Sequence, residues 1–201
     1  MTLRLYGIPT SGNYYKVELL LQQLGIPYEV VLVNSREGEN RLPEYLAKNP
    51  FGQIPALELE TGTVLAESAA ILVYLAEGTP MYGQTQLERA EILKWLFFEQ
   101  TRIARYIAIT RFWVRAGKAE ANASLIEQNL KSGTDALQIM DAYLEGKTFF
   151  VGERYTIADV ALFTYTHVAE QGGFDLKPFP NLQAWCQRVK ATDHFFPLPG
   201  A

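Results

Sequence analysis

Residues 3–33 run LRLYGIPTSGNYYKVELLLQQLGIPYEVVLV, and this stretch decides the fold. Leu3 and Leu5 alternate with Arg4 and Tyr6 before Pro9 stops the run, as in a short strand closed by a turn. Val17, Leu20, Leu21 and Leu24 then recur at helical spacing, and Gly25 followed by Pro27 supplies the stop. Tyr28 to Val33 is apolar and β-branched enough for a strand buried on both faces. A strand, a helix and a strand in this order predict parallel pairing and an α/β domain.

Downstream, Gly38 to Pro50 reads as a charged loop with one helical turn around Pro43 to Ala47. Pro55 to Leu59 and Thr63 to Ala66 flank Glu60-Thr61-Gly62, a hairpin signal because glycine supplies the positive φ of a tight turn. A helix opens near Ser68, with Ile71, Leu72 and Leu75 as its apolar stripe. Past Gly78-Thr79-Pro80 only helical patterns remain, at Leu87 to Val114, Ala121 to Leu144, Thr156 to Gln171 and Pro180 to Val189. The predicted organisation is a βαβ-ββα unit over residues 1–78, a linker over 79–86 and an all-helical unit over 87–201.

Composition narrows the function classes. A chain of 201 residues buries enough surface to fold without staples. One cysteine makes no internal disulfide, and with two histidines it leaves little for a zinc site, so no metal is expected. The net charge of -4 opposes non-specific nucleic-acid binding. The most continuous apolar stretch, Ala69 to Ala76, is less than half a membrane span, and the opening residues lack the apolar core of a secretory signal. A cytoplasmic protein with neither a membrane nor a nucleic-acid partner is expected.

Two places in the first unit suit an anionic ligand. Ser11 stands between a strand end and a helix start, where orphan N–H groups and the helix dipole favour negative charge, and Thr10 and Asn13 are further polar groups of that turn. A free thiol ionises near pH ~8.5, and a hydrogen bond to a charged group contributes roughly 1.5–3 kcal/mol. At ~1.4 kcal/mol per unit, one donor lowers a bound thiol by about one to two units. Glu67 and Ser68 stand at a second helix start, offering a carboxylate to an ammonium and a hydroxyl to a carboxylate. The bland reading of both serines is a helix N-cap.

Four stretches together give the chain its resemblance: Pro9-Thr10-Ser11-Gly12-Asn13, Asn49-Pro50-Phe51-Gly52-Gln53-Ile54-Pro55-Ala56-Leu57, Glu67-Ser68-Ala69-Ala70-Ile71, and Thr156-Ile157-Ala158-Asp159-Val160. In their order and spacing the chain resembles a cytosolic glutathione transferase of the serine type, with theta/phi-like motifs, along essentially its full length. The resemblance implies a thioredoxin-like domain joined to an all-α domain, a homodimer, and conjugation of the glutathione thiolate to small, mostly apolar electrophiles. It implies a thiolate donor at Ser11, with Thr10 or Asn13 of the same turn as the alternatives, backbone pairing at Ile54 before a cis proline, a side-chain contact from Gln53, and Glu67 and Ser68 on the γ-glutamyl end. For the glycyl carboxylate the family often has His and Lys where this chain has Asn40 and Arg41, so Arg41 takes that role with Lys48 in reserve. The electrophile wall falls to Tyr106, Phe112 and Trp113, among Arg102, Arg105, Arg111 and Arg115. Asp159, His167 and Cys186 read as structural. A glutathione-dependent peroxidase or disulfide reductase, and a non-catalytic binding module, are the competing functions.

Overall fold

The computed structural model describes residues 2–201, which divide into two compact units. The first runs to Glu77 and also includes Asp193–Ala201; the second is Gly78–Thr192.

The first unit is built from β1 (Leu3–Gly7), α1 (Gly12–Gln23), β2 (Tyr28–Leu32), the short α2 (Pro43–Leu46), β3 (Ala56–Glu58), β4 (Val64–Ala66) and α3 (Ser68–Ala76). The four strands form one sheet in the order β2-β1-β3-β4. β1 pairs with β2 in parallel, with Leu5 opposite Val30, and with β3 antiparallel, with Leu5 opposite Leu57. The β3-β4 hairpin turns at Gly62, whose φ of 82° is the left-handed value that the sequence implied. Leu5 and Leu57 are wholly buried, as are Val17, Leu20 and Leu21 of α1 and Ile71 and Leu72 of α3. Successive strand residues face opposite sides, so Tyr6 and Ala56 belong to a second cluster with Val33 and Tyr45.

One expectation fails. β2 was expected to be buried on both faces, yet Val30 is 46% and Leu32 67% exposed. The strand lies at the sheet edge, where its apolar composition is not matched by cover.

In the second unit the long predicted helix is α4 (Gln86–Phe98), a π-helical section Glu99–Ala108 and α5 (Ile109–Arg115) in unbroken succession. α4 begins one residue before the expected Leu87, because Thr85 and Glu88 form a capping box. Then come α6 (Ala123–Tyr143), α7 (Ile157–Thr166) and α8 (Pro180–Lys190). α7 stops at Thr166, short of the expected Gln171, and a separate 3-10 turn spans Ala169–Gly172. An aromatic core holds these helices. The Phe150 ring lies 4.6 Å from Trp95 and 5.1 Å from Trp185, both edge-on.

The helical unit was expected to run to residue 201. Instead Asp193–Ala201 joins the first unit, where the Tyr15 hydroxyl donates to the Phe196 carbonyl at 2.7 Å. Among the described residues no helix is long and apolar enough to cross a membrane.

Candidate functional site

β1 delivers the chain into the Ser11 turn. Ser11 is the N-cap of α1, and its Oγ accepts from the Tyr14 N–H at 3.5 Å, a long bond that leaves its own proton unspent. The bland reading of Ser11 is therefore realised. Two residues on, Asn13 lines a small concave site.

That site gathers most of the residues singled out in the sequence. Asn13, Gln53, Ile54, Glu67 and Ser68 line it together with Asn49, Phe51, Pro55 and Ala66. Ser11 and Arg41 are not among its lining residues. The segment before β3 is fastened from below: Asn49 Nδ2 and the Tyr45 hydroxyl both donate to the Gln53 carbonyl, at 2.8 and 2.5 Å. Asn49 Oδ1 also accepts from the Phe51 N–H at 3.1 Å, and Asn40 Nδ2 donates to the Gly52 carbonyl at 2.6 Å. Gly52 has φ 58°, and a Cβ there would come within 2.7 Å of Arg41 Nη1. Arg41 thus lies exposed over the Phe51-Gly52-Gln53 turn, beside the site.

With the Gln53 carbonyl held by two donors, Ile54 is the residue presented. Its N–H and C=O have no hydrogen-bond partner among the described residues, and the Ile54–Pro55 bond is cis. An extended ligand backbone can pair with such groups as an added strand.

At the other wall, Glu67 is the N-cap residue of α3 and makes no side-chain cap bond. The N-cap reading of Ser68 is not realised, because Ser68 is the first helical residue, 3% exposed. Glu67 holds φ 67°, a left-handed value that costs a residue with a Cβ about 1–3 kcal/mol. A carboxylate and helix N-terminal N–H groups therefore stand side by side, matched to a ligand end that carries both charges.

Lys48 is engaged elsewhere. Its Nζ binds Glu58 Oε2 at 3.1 Å, and the same carboxylate accepts from the Tyr6 hydroxyl. Sequence reasoning did not single out Lys16, which is wholly buried and donates to Asn13 Oδ1 at 2.9 Å. The i, i+3 spacing of Asn13 and Lys16 was the available signal.

Tyr106, Phe112 and Trp113 belong to the second unit. Tyr106 and Trp113 are half-buried, and Phe112 is 52% exposed with Lys118 Nζ 5.6 Å from its ring centroid. The neighbouring arginines are not all free for a ligand. Arg111 Nε and Arg115 Nη1 converge on Gln171 Oε1 at 2.8 and 2.7 Å.

The three residues read as structural behave so. Asp159 is wholly buried and accepts from the Thr156 N–H, the Thr156 hydroxyl, the Phe150 N–H and Trp185 Nε1. The His167 ring stacks on Phe163 with Nδ1 2.8 Å from the Phe163 carbonyl, and burial lowers its pKa to about 4. Burial pushes the Cys186 thiol up to about 12, so it is protonated and unreactive at neutral pH. Among the described residues no group of three or more His, Cys, Asp or Glu side chains is placed to hold a metal.

Comparison with known proteins now adds to this geometry. Residues 1–77 match the glutathione S-transferase N-terminal domain and residues 94–193 the glutathione S-transferase C-terminal domain. The chain belongs to the glutathione S-transferase family. Within that family it is 32% identical over 195 residues to the glutathione S-transferase GstB of Escherichia coli K12, covering 93% of this chain and 92% of that protein. A glutathione S-transferase crystal structure from Pseudomonas fluorescens superposes with a TM-score of 0.95 at 43% identity, over 98% of this chain and 99% of that one. A glutathione transferase from Burkholderia graminis, crystallised with two glutathione molecules per subunit, superposes with a TM-score of 0.84 at 28% identity, over 96% and 85%. The thioredoxin-like unit and the helical unit are thus those of the family.

Proposed function

We propose that this protein is a glutathione transferase, joining the glutathione thiolate to small, mostly apolar electrophiles. The observation that carries the reading is the convergence of Asn13, Ile54, Glu67 and Ser68 on one concave site next to the α1 N-terminus. Glu67 takes the γ-glutamyl ammonium, while Ser68 and the α3 N–H groups take the adjoining carboxylate. The Ile54 main chain pairs with the cysteinyl backbone, and Gln53 adds a side-chain contact. Arg41, beside the same turn, takes the glycyl carboxylate by a forked contact. Ser11 or Asn13 donates to the sulfur, and the α1 dipole favours the anion. Holding thiolate and electrophile together supplies the rate. Tyr106, Phe112 and Trp113 are the residues we assign to the electrophile. A homodimer and a cytoplasmic location go with this reading.

A second reading has support from one relative. The Burkholderia graminis enzyme holds two glutathione molecules, which suits peroxide or disulfide chemistry carried out by glutathione itself. The lone Cys186 lies buried in the second unit, so a mixed disulfide with a cysteine of this chain is not part of that reading.

One assay separates these readings and the binding module. Purified protein is given glutathione with aryl halides, with hydroperoxides and with a mixed glutathione disulfide, beside Ser11→Ala. Turnover of aryl halides is expected; a tenfold to hundredfold loss in Ser11→Ala, the equivalent of about one to two units of thiol pKa, would make Ser11 the sulfur donor, and an unchanged rate leaves that role to Asn13. Turnover only of peroxide or disulfide moves the assignment to the second reading. Glutathione binding with no turnover leaves a binding module, and a chain that binds no glutathione refutes the site.

A further inference from the structure

The wholly buried Lys16 is the side chain that the proposed chemistry has not used. Desolvating an ammonium is costly unless acceptors meet it, and one acceptor here is Asn13 Oδ1, 2.9 Å away on the same helical face. An ammonium carries three donors and no acceptor, so the Asn13 atom facing it must be the oxygen. The other end of the amide, Nδ2, then points away from Lys16. It has no hydrogen-bond partner among the described residues, and Asn13 lines the concave site that also holds Ile54, Glu67 and Ser68.

We propose that Lys16 is a positioning residue: its ammonium locks the Asn13 amide with Nδ2 turned into the site, where it donates to the glutathione sulfur. The inference rests on the glutathione reading above and decides between the donors that reading left open. Ser11 lies outside the lining of the site, whereas Asn13 belongs to that lining. The bond from Lys16 does two things to the amide. It removes the flipped orientation, in which a carbonyl oxygen would face and repel the thiolate. It also draws electron density toward Oδ1, making Nδ2–H a stronger donor. The one charged residue lining the site is Glu67, whose carboxylate opposes ionisation of the thiol and is unchanged in the variants below.

The test is a titration of the ultraviolet thiolate absorbance of glutathione bound to the full chain. In the wild type the thiol should ionise below its free value of ~8.5. In Lys16→Met it should ionise about one unit higher, a roughly tenfold loss of thiolate at fixed pH. Lys16→Arg, which keeps a donor, should restore most of the difference. Affinity for S-methylglutathione, which has no ionisable thiol, should stay unchanged in Lys16→Met; a merely structural role would weaken it. Asn13→Ala, at a half-exposed position, should give the same shift, and the double variant no more than either single one. If Lys16→Met does not fold, Asn13→Ala decides, and an unshifted thiol there overturns the proposal. An unshifted thiol in a folded Lys16→Met overturns it too, while the glutathione reading stands. A wild-type chain that binds no glutathione overturns both.

Discussion

At Glu67 backbone and ligand make opposite demands. Its φ of 67° and ψ of 113° suit glycine, while a carboxylate at this point meets the ammonium of the proposed ligand. Relief of about 1–3 kcal/mol of strain outweighs the ~0.5–1 kcal/mol that glycine loses through a more flexible unfolded chain. Glu67→Gly is therefore expected to raise stability by about 1 kcal/mol in urea unfolding. The same change should weaken glutathione binding tenfold or more, since charged hydrogen bonds contribute roughly 1.5–3 kcal/mol. Glu67→Gln keeps the strain and loses the charge, so calorimetry should find weaker binding at nearly unchanged stability. Unchanged affinity in both variants would remove Glu67 from the ammonium. The sequence made the carboxylate legible through its place before a helix, but not the strain, because nothing local marks a glutamate for positive φ. Lys16 escaped for a related reason: a lysine in an amphipathic helix reads as solvent-facing, and only the tertiary structure covers it.

α7 shows which elements a sequence declares. Thr156 and Asp159 signal its start, and the Asp159 carboxylate does accept from the Thr156 N–H at 2.9 Å. The Trp185 indole and the Phe150 N–H converge on the same carboxylate from distant positions, which spacing alone does not reveal. Asp159→Ala orphans these donors, so a loss of about 3 kcal/mol or more in urea is expected, with glutathione affinity of the folded fraction unchanged. Burial raises the Asp159 pKa from its ordinary 3.8 to about 6, with the bonds to Trp185 and Thr156 pulling the other way. A carboxyl raised in the folded state contributes stability that is full below about pH 4 and is lost as pH rises through about 6. Asp159→Asn, which does not titrate, should flatten the stability profile across that window. By contrast, the exposure of β2 and the π-helical turn were not legible. Edge position is decided by strand order, and the buried Ile103 and Ile107 stand four apart, a spacing that an α-helix and a π-helix both accommodate.

Across the whole molecule, the last nine residues return to the first unit. The stretch DHFFPLPGA has no periodicity and two prolines, so a local reading leaves it with the helices it follows. Phe196 nevertheless sets its ring 5.3 Å from that of Tyr15, edge-on, and its carbonyl takes the Tyr15 hydroxyl proton. Tyr15 is wholly buried and lies between Asn13 and Lys16 and Val17 in α1, the helix that carries the proposed sulfur donor. Ending the chain at Thr192 would uncover the ring and leave the hydroxyl without this acceptor. The edge-to-face contact contributes about 0.5–1.5 kcal/mol and the hydrogen bond to Phe196 about 0.5–1.5 kcal/mol, so the first unit should lose about 1–3 kcal/mol. That is a large fraction of a typical 5–15 kcal/mol. Hydrogen exchange should show faster exchange along α1 with α7 unchanged, and glutathione affinity should fall with α1 order. Equal protection of α1 in the shortened and full chains would mean that the first unit holds α1 without its returning tail.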